Sequence, residues 1–125
     1  MPKKKILIID DDNRNIFALT AMLRSKGFEC LSSISAKDAI QLLNGNEQVD
    51  AVLLDMMMPD MDGYQALPEI KRIQKRKGIP VLAVTAQAMT GDREKCLQAG
   101  ADEYISKPID VDKLLKVLAN YKVTA

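Results

Sequence analysis

The stretch from Val49 to Gly63, VDAVLLDMMMPDMDG, constrains the fold more than any other part of the chain. Its apolar run, Ala51 to Leu54, delivers one acid, Asp55, and then meets three methionines, a proline and an Asp62-Gly63 turn signal. A short apolar run bounded by Asp50 and a Pro/Asp/Gly cluster suits a strand buried on both faces, as parallel sheets require. Open α/β sheets carry their chemistry outside the carboxyl ends of the strands. Asp55 therefore stands where a reactive carboxylate would, although an acid can equally mark an ordinary strand end.

The rest of the chain repeats this punctuation. Lys5 to Ile9 (KILII) is a β-rich run that stops at Asp10, Asp11 and Asp12. Ile16, Leu19, Thr20 and Leu23 then recur at helical spacing, and Gly27 supplies a stop. Phe28 to Ile34 reads as a second strand. Ser35 can cap a helix with Ala36, Ala39, Ile40 and Leu43 on one face and Gly45 at its end. After the third strand, a helix is expected from about Gln65 to Arg76, with Leu67, Ile70 and Ile73 inward. Pro68 removes an N–H near its start, so the helix should begin late or be distorted there. Pro80 to Val84 is the fourth strand, ending on Thr85. Thr90 to Ala99 reads as a short polar helix stopped by Gly100, and Glu103 to Ser106 as a fifth strand leading to Lys107-Pro108. Val111, Leu114, Leu115, Leu118 and Tyr121 form the apolar face of a last helix.

Strands alternating with helices, without a repeat or linker, imply α/β architecture: a flavodoxin-like, doubly wound, five-stranded parallel sheet of order 2-1-3-4-5 with five helices. At 125 residues, one domain is expected, spanning 1–125 with its core at about 4–121. A hydrophobic content of 47% with 28% charged residues is in the globular range, and the net charge of +1 offers no global field for nucleic acid or membrane. No window is apolar enough to span a bilayer, and Lys3 to Ile9 is too short and too soon cut by aspartates for a signal peptide. Cys30 and Cys96 could form a disulfide in principle, but they read better as reduced thiols of a cytoplasmic protein. The absence of histidine excludes a His base and a phosphohistidine on this chain.

Strand ends gather the chemistry. Asp10 and Asp11 follow strand 1, Asp55 ends strand 3, Thr85 and Ala86 follow strand 4, and Lys107 follows strand 5. Each has an ordinary reading, since strand ends are often polar and a lone lysine is usually solvated. Together they leave three mutually repelling acids on one edge, which a divalent cation would neutralise. Mg²⁺ (or Mn²⁺) takes oxygen ligands and typically uses one or two carboxylates beside phosphate oxygens. Asp11 and Asp55 could bind it directly, and Asp10 directly or through water. A free Asp55 oxygen could then attack a phosphoryl group whose charge Mg²⁺, Lys107 and the Thr85 hydroxyl offset.

With IIDDDNRN (8–15), LLDMMMPDMDG (53–63), VTAQAM (84–89) and AGADEYISKPI (99–109) in this order, the chain resembles the receiver domains of two-component response regulators. The resemblance runs from about Lys4 to Tyr121, and its last part is especially similar to receivers of hybrid kinases and some stand-alone regulators. It implies that Asp55 is the phosphoacceptor and that Asp10, Asp11, Asp55 and the Met57 backbone carbonyl hold the metal. It further implies Thr85 as switch hydroxyl, Lys107 as phosphate-pairing cation, Tyr104 as switch aromatic and a cis Lys107-Pro108 bond. Met57 and Gln87 would flank the path of attacking water; neither can act as a base, so slow to moderate self-dephosphorylation is expected. The implied partner is a histidine kinase or histidine phosphotransfer domain, with self-association possible through the helix 4, strand 5 and helix 5 surface. A phosphate sink or shuttle within a relay uses the same site. The chain would be a single-domain regulator or an excised receiver.

Other chemistries fit less well. An aspartyl phosphatase needs a second acid two residues after its nucleophile, where this chain has Met57, so a turnover enzyme is not expected. Acids after strand 1 would repel the phosphate of a flavin mononucleotide. Met56, Met57, Met58 and Met61 read as packing rather than a copper(I) site, and Asp60 to Gly63 as a turn rather than a calcium loop.

Overall fold

The computed structural model describes residues 3–45, 47–58, 63–75, 78–86 and 91–124. Five strands, β1 (Lys5–Ile9), β2 (Glu29–Ser33), β3 (Ala51–Asp55), β4 (Val81–Thr85) and β5 (Glu103–Ser106), alternate with five helices. These are α1 (Asn13–Ser25), α2 (Ala36–Asn44), α3 (Gly63–Lys75), α4 (Asp92–Gln98) and α5 (Val111–Asn120). The sheet is parallel throughout in the order β2-β1-β3-β4-β5, as the alternation of elements implied.

Side-chain alternation along the strands divides the core in two. Leu7, Ile9, Val52, Leu54, Val81 and Ala83 pack with α2, α3 and Cys96 of α4. Ile6, Ile8, Ala51, Leu53, Leu82, Val84 and Ile105 pack with α1 and α5. The central strands β3 and β4 are buried along their whole length, which explains their unbroken apolar sequences.

The first two helices are capped as expected of Asp and Ser. Asp12 accepts the Arg14 N–H at 2.9 Å, and Ser35 Oγ accepts the Asp38 N–H at 3.1 Å. At the far end of α1, Gly27 adopts φ 95°, and the N–H groups of Gly27 and Phe28 bond the carbonyls of Arg24 and Leu23. This closing motif claims Phe28 for the helix terminus, so β2 is shorter than Phe28 to Ile34.

Two expectations are corrected. Helix α3 does not begin late: it starts at Gly63 and continues through Pro68. Its first N–H is satisfied outside the helix, donating to the Met56 carbonyl at 3.1 Å. Tyr121 lies beyond α5 and is 39% exposed, so it is not part of the inward face. Its hydroxyl donates to the Asp102 carbonyl at 2.9 Å, and Val123 is buried instead.

Asp102 gathers the amino-terminal end of the sheet. Its carboxylate accepts from Lys71 Nζ of α3 at 2.5 Å and from the Val81 N–H at 2.8 Å, while its own N–H donates to the Val81 carbonyl. Cys30 and Cys96 are both free thiols.

Candidate phosphoacceptor site

The site forms because two strands end in step. Ile9 of β1 stands opposite Leu54 of β3, so the next residues, Asp10 and Asp55, come out side by side. Asp10 is in phase with Ile6 and Ile8, and Asp55 with Ala51 and Leu53; both carboxylates therefore turn to the α1/α5 face. They are 3% and 4% exposed. Asp11 is exposed, and one oxygen from each of the three acids falls within 4.8 Å of the others.

Lys107 reaches this cluster from the end of β5. Its Nζ lies 3.5 Å from Asp10 Oδ2 and 3.5 Å from Asp55 Oδ2. Its backbone N–H donates to the Thr85 carbonyl at 2.8 Å, and the Lys107-Pro108 bond is cis, as the resemblance implied. Asp55 Oδ1 accepts the Met57 N–H at 3.0 Å. Asp10 Oδ1 accepts the Asp12 N–H at 2.9 Å, and Asp10 Oδ2 accepts Asn15 Nδ2 at 2.5 Å.

Burial pushes the Asp55 carboxyl above its ordinary range; the Met57 N–H and Lys107 oppose this shift, and Asp10 adds to it. Three carboxylates facing one ammonium leave an excess of negative charge. The donor set is all oxygen, the choice of hard cations such as Mg²⁺. The residues present fit such a metal.

Thr85 is 2% exposed and ends the strand next to β3, one step past Val84, which pairs with Asp55. It is in phase with Val81 and Ala83, toward the α3/α4 face. Tyr104 is half-buried against that same face, away from the acids. Met57 is 49% exposed beside Asp55. Gln87 lies outside the described residues. Sequence reasoning gave no role to Asn15, the amide on Asp10. A signal was present: Asn15 stands four residues before the buried Leu19, on the inward stripe of α1, where a polar side chain needs a partner.

A parallel doubly wound sheet with buried acids and a lysine converging on its carboxyl edge is the arrangement that the resemblance to receiver domains implied. The sequence matches the response regulator receiver domain over residues 6–119, and the chain belongs to that family. It is similar to hybrid signal transduction histidine kinase L of Dictyostelium discoideum, 37% identical over 94% of this chain but only 7% of the kinase. The polar-differentiation response regulator DivK of Brucella ovis is 31% identical over 94% of this chain and 95% of its own. Among solved structures, the receiver domain of sensor histidine kinase PA1611 from Pseudomonas aeruginosa PAO1, with magnesium coordinated in its active-site cleft, superposes with a TM-score of 0.84. It is 34% identical and covers 96% of this chain and 98% of its own. The chain is thus a phosphoacceptor receiver of two-component phosphorelay signalling. Among the described residues, no helix is long and apolar enough to cross a membrane.

Proposed function

We propose that Asp55 is the phosphoacceptor and that its donor is the phosphoimidazole of a partner histidine kinase or histidine phosphotransfer domain. The observation that carries this is Lys107 Nζ at 3.5 Å from Asp55 Oδ2, within a buried acid cluster at the sheet's switch point. A bond forms between phosphorus and an Asp55 oxygen as the phosphorus–nitrogen bond breaks, and the donor imidazole takes the bonding pair. The Met57 N–H fixes the carboxylate through Oδ1, and Lys107 pairs with a phosphoryl oxygen. Asp10, Asp11, Asp55 and the Met57 carbonyl would hold Mg²⁺, which when bound would supply further positive charge for the phosphoryl oxygens.

Thr85 turns its hydroxyl to the new phosphoryl group, and Tyr104 moves into the space this leaves. The surface of α4, β5 and α5 shifts with them and meets the next protein or a second copy. Phosphorylation adds roughly 1.5 to 2 negative charges, enough to bias such a two-state element. Met57 supplies neither acid nor base beside Asp55, so the chain works as a switch and not a turnover enzyme. Residues 1–125 form one receiver domain with its core at about 4–121, acting in the cytoplasm.

The test is intact mass after incubation with Mg²⁺ and acetyl phosphate. One phosphoryl group is expected, absent from Asp55→Asn and from metal-free samples. An adduct that persists in Asp55→Asn would overturn the assignment.

A further inference from the structure

Asp10 is almost wholly out of water, so what holds its carboxyl group decides where its oxygens point. Oδ1 is taken by the Asp12 N–H at 2.9 Å. Oδ2 has two suitors: Asn15 Nδ2 at 2.5 Å and Lys107 Nζ at 3.5 Å. A charge-assisted hydrogen bond to a carboxylate spans about 2.7–2.9 Å, so Lys107 is too distant and too shared to fix the group. The neutral amide is the tighter partner.

Space around the pair favours the same conclusion. Asp10, Asn15 and Asp55 line one small void of about 10 Å³, walled also by Leu19, Leu53 and Ile109. That is about the least volume a water needs, and Asn15 also borders a larger open groove with Lys107, Pro108 and Ile109. A water entering in place of the amide would not be tied to α1, and so would not fix Oδ2 in one orientation.

We infer that Asn15 is a positioning residue for the metal pocket: it holds Asp10 in its coordinating orientation and leaves Lys107 free to serve Asp55. The inference rests on the reading of Asp10 as a metal ligand. Because Asn15 satisfies Oδ2 without a charge, Lys107 can move to a phosphoryl oxygen without leaving Asp10 bare. A lysine or arginine at position 15 would also satisfy Oδ2, but it would oppose the cation. The side chain required is a short, uncharged donor rooted in the first turn of α1, and asparagine meets that need.

The test is Mn²⁺ affinity by electron paramagnetic resonance, with Mg²⁺ by competition, for wild type and Asn15→Leu, which keeps the size and removes the donor. Affinity should fall about tenfold, the low end of the effect of removing a hydrogen-bond partner of a metal ligand. The loss should disappear in an Asp10→Asn background and persist in Asp11→Asn, which a merely structural effect would not reproduce. Asn15→Ala gives the same comparison if the leucine variant folds poorly. Wild-type affinity in both variants, or an equal loss in the Asp10→Asn background, would overturn the inference. Phosphorylation by acetyl phosphate is followed in parallel. A wild-type protein that binds metal but is modified at Asp55 neither by acetyl phosphate nor by a phosphohistidine donor refutes the proposed function while leaving the Asn15 result standing.

Discussion

Gly63 presses on Met56 so closely that a Cβ at Gly63 would stand 2.5 Å from the Met56 Cα and 2.4 Å from its Sδ. The same two residues share a backbone hydrogen bond of 3.1 Å. Met56 follows Asp55 directly and is 1% exposed. The start of α3 is therefore keyed to the loop that carries Asp55, and only glycine permits the approach.

Gly63→Ala should disturb that key. The new methyl group meets backbone, which cannot step aside as a side-chain tip can. A loss of about 3 kcal/mol is expected, the upper end for overpacking, together with slower phosphorylation of Asp55. Urea denaturation and intact-mass kinetics measure the two effects.

Asp55→Asn should melt at a higher temperature than wild type at pH 7 in chelator. The Asp55 carboxyl is raised chiefly by burial in the folded state, above an unfolded value of about 3.9. Its stabilising contribution is complete below that unfolded value and is lost as pH rises through the folded one. The difference in melting temperature should therefore widen from pH 4 toward neutrality, and Mg²⁺ should narrow it by stabilising only the wild type. Melts across pH, with and without metal, decide the sign.

Lys107→Ala should separate metal binding from chemistry. Removing the ammonium 3.5 Å from Asp10 and from Asp55 leaves the acids more negative, so Mg²⁺ affinity should rise. The phosphorylation rate should fall about 100-fold, the typical effect of losing one donor to a developing anion. Calorimetry and intact-mass kinetics should move in opposite directions.

The two thiols should differ in reactivity. Cys96 is fully buried, and the Cys30 thiol is raised chiefly by burial against the opposing influence of Arg24 and Thr20. At pH 7 the folded protein should react with a disulfide reagent at Cys30 more slowly than a free thiol does. Cys96 should react only on unfolding, and both at once in urea.

Much of this was readable before any coordinates. Apolar runs ending on Asp10, Asp55 and Thr85 pointed to the sheet and to the edge where these residues meet, because strand period and helix period leave different marks on a sequence. What escaped was contact between distant segments. The start of α3 depends on Met56 lying under Gly63, not on the propensity of residues near Pro68. Tyr121 fits the helical stripe by spacing, but α5 has closed before it and the Asp102 carbonyl draws its hydroxyl outward. Asn15 was visible as a polar residue on a buried stripe, but its partner could be found only in three dimensions.

Asp102 gives the molecule a fixed end. It binds α3 through Lys71, β4 through Val81 and the close of α5 through Tyr121, all at the edge of the sheet opposite the acids. If phosphorylation at Asp55 moves the α4, β5 and α5 surface as proposed, these bonds act as a fulcrum at the far end of the same elements. The receiver would then work as a lever, free to swing at its carboxyl edge and pinned at the other.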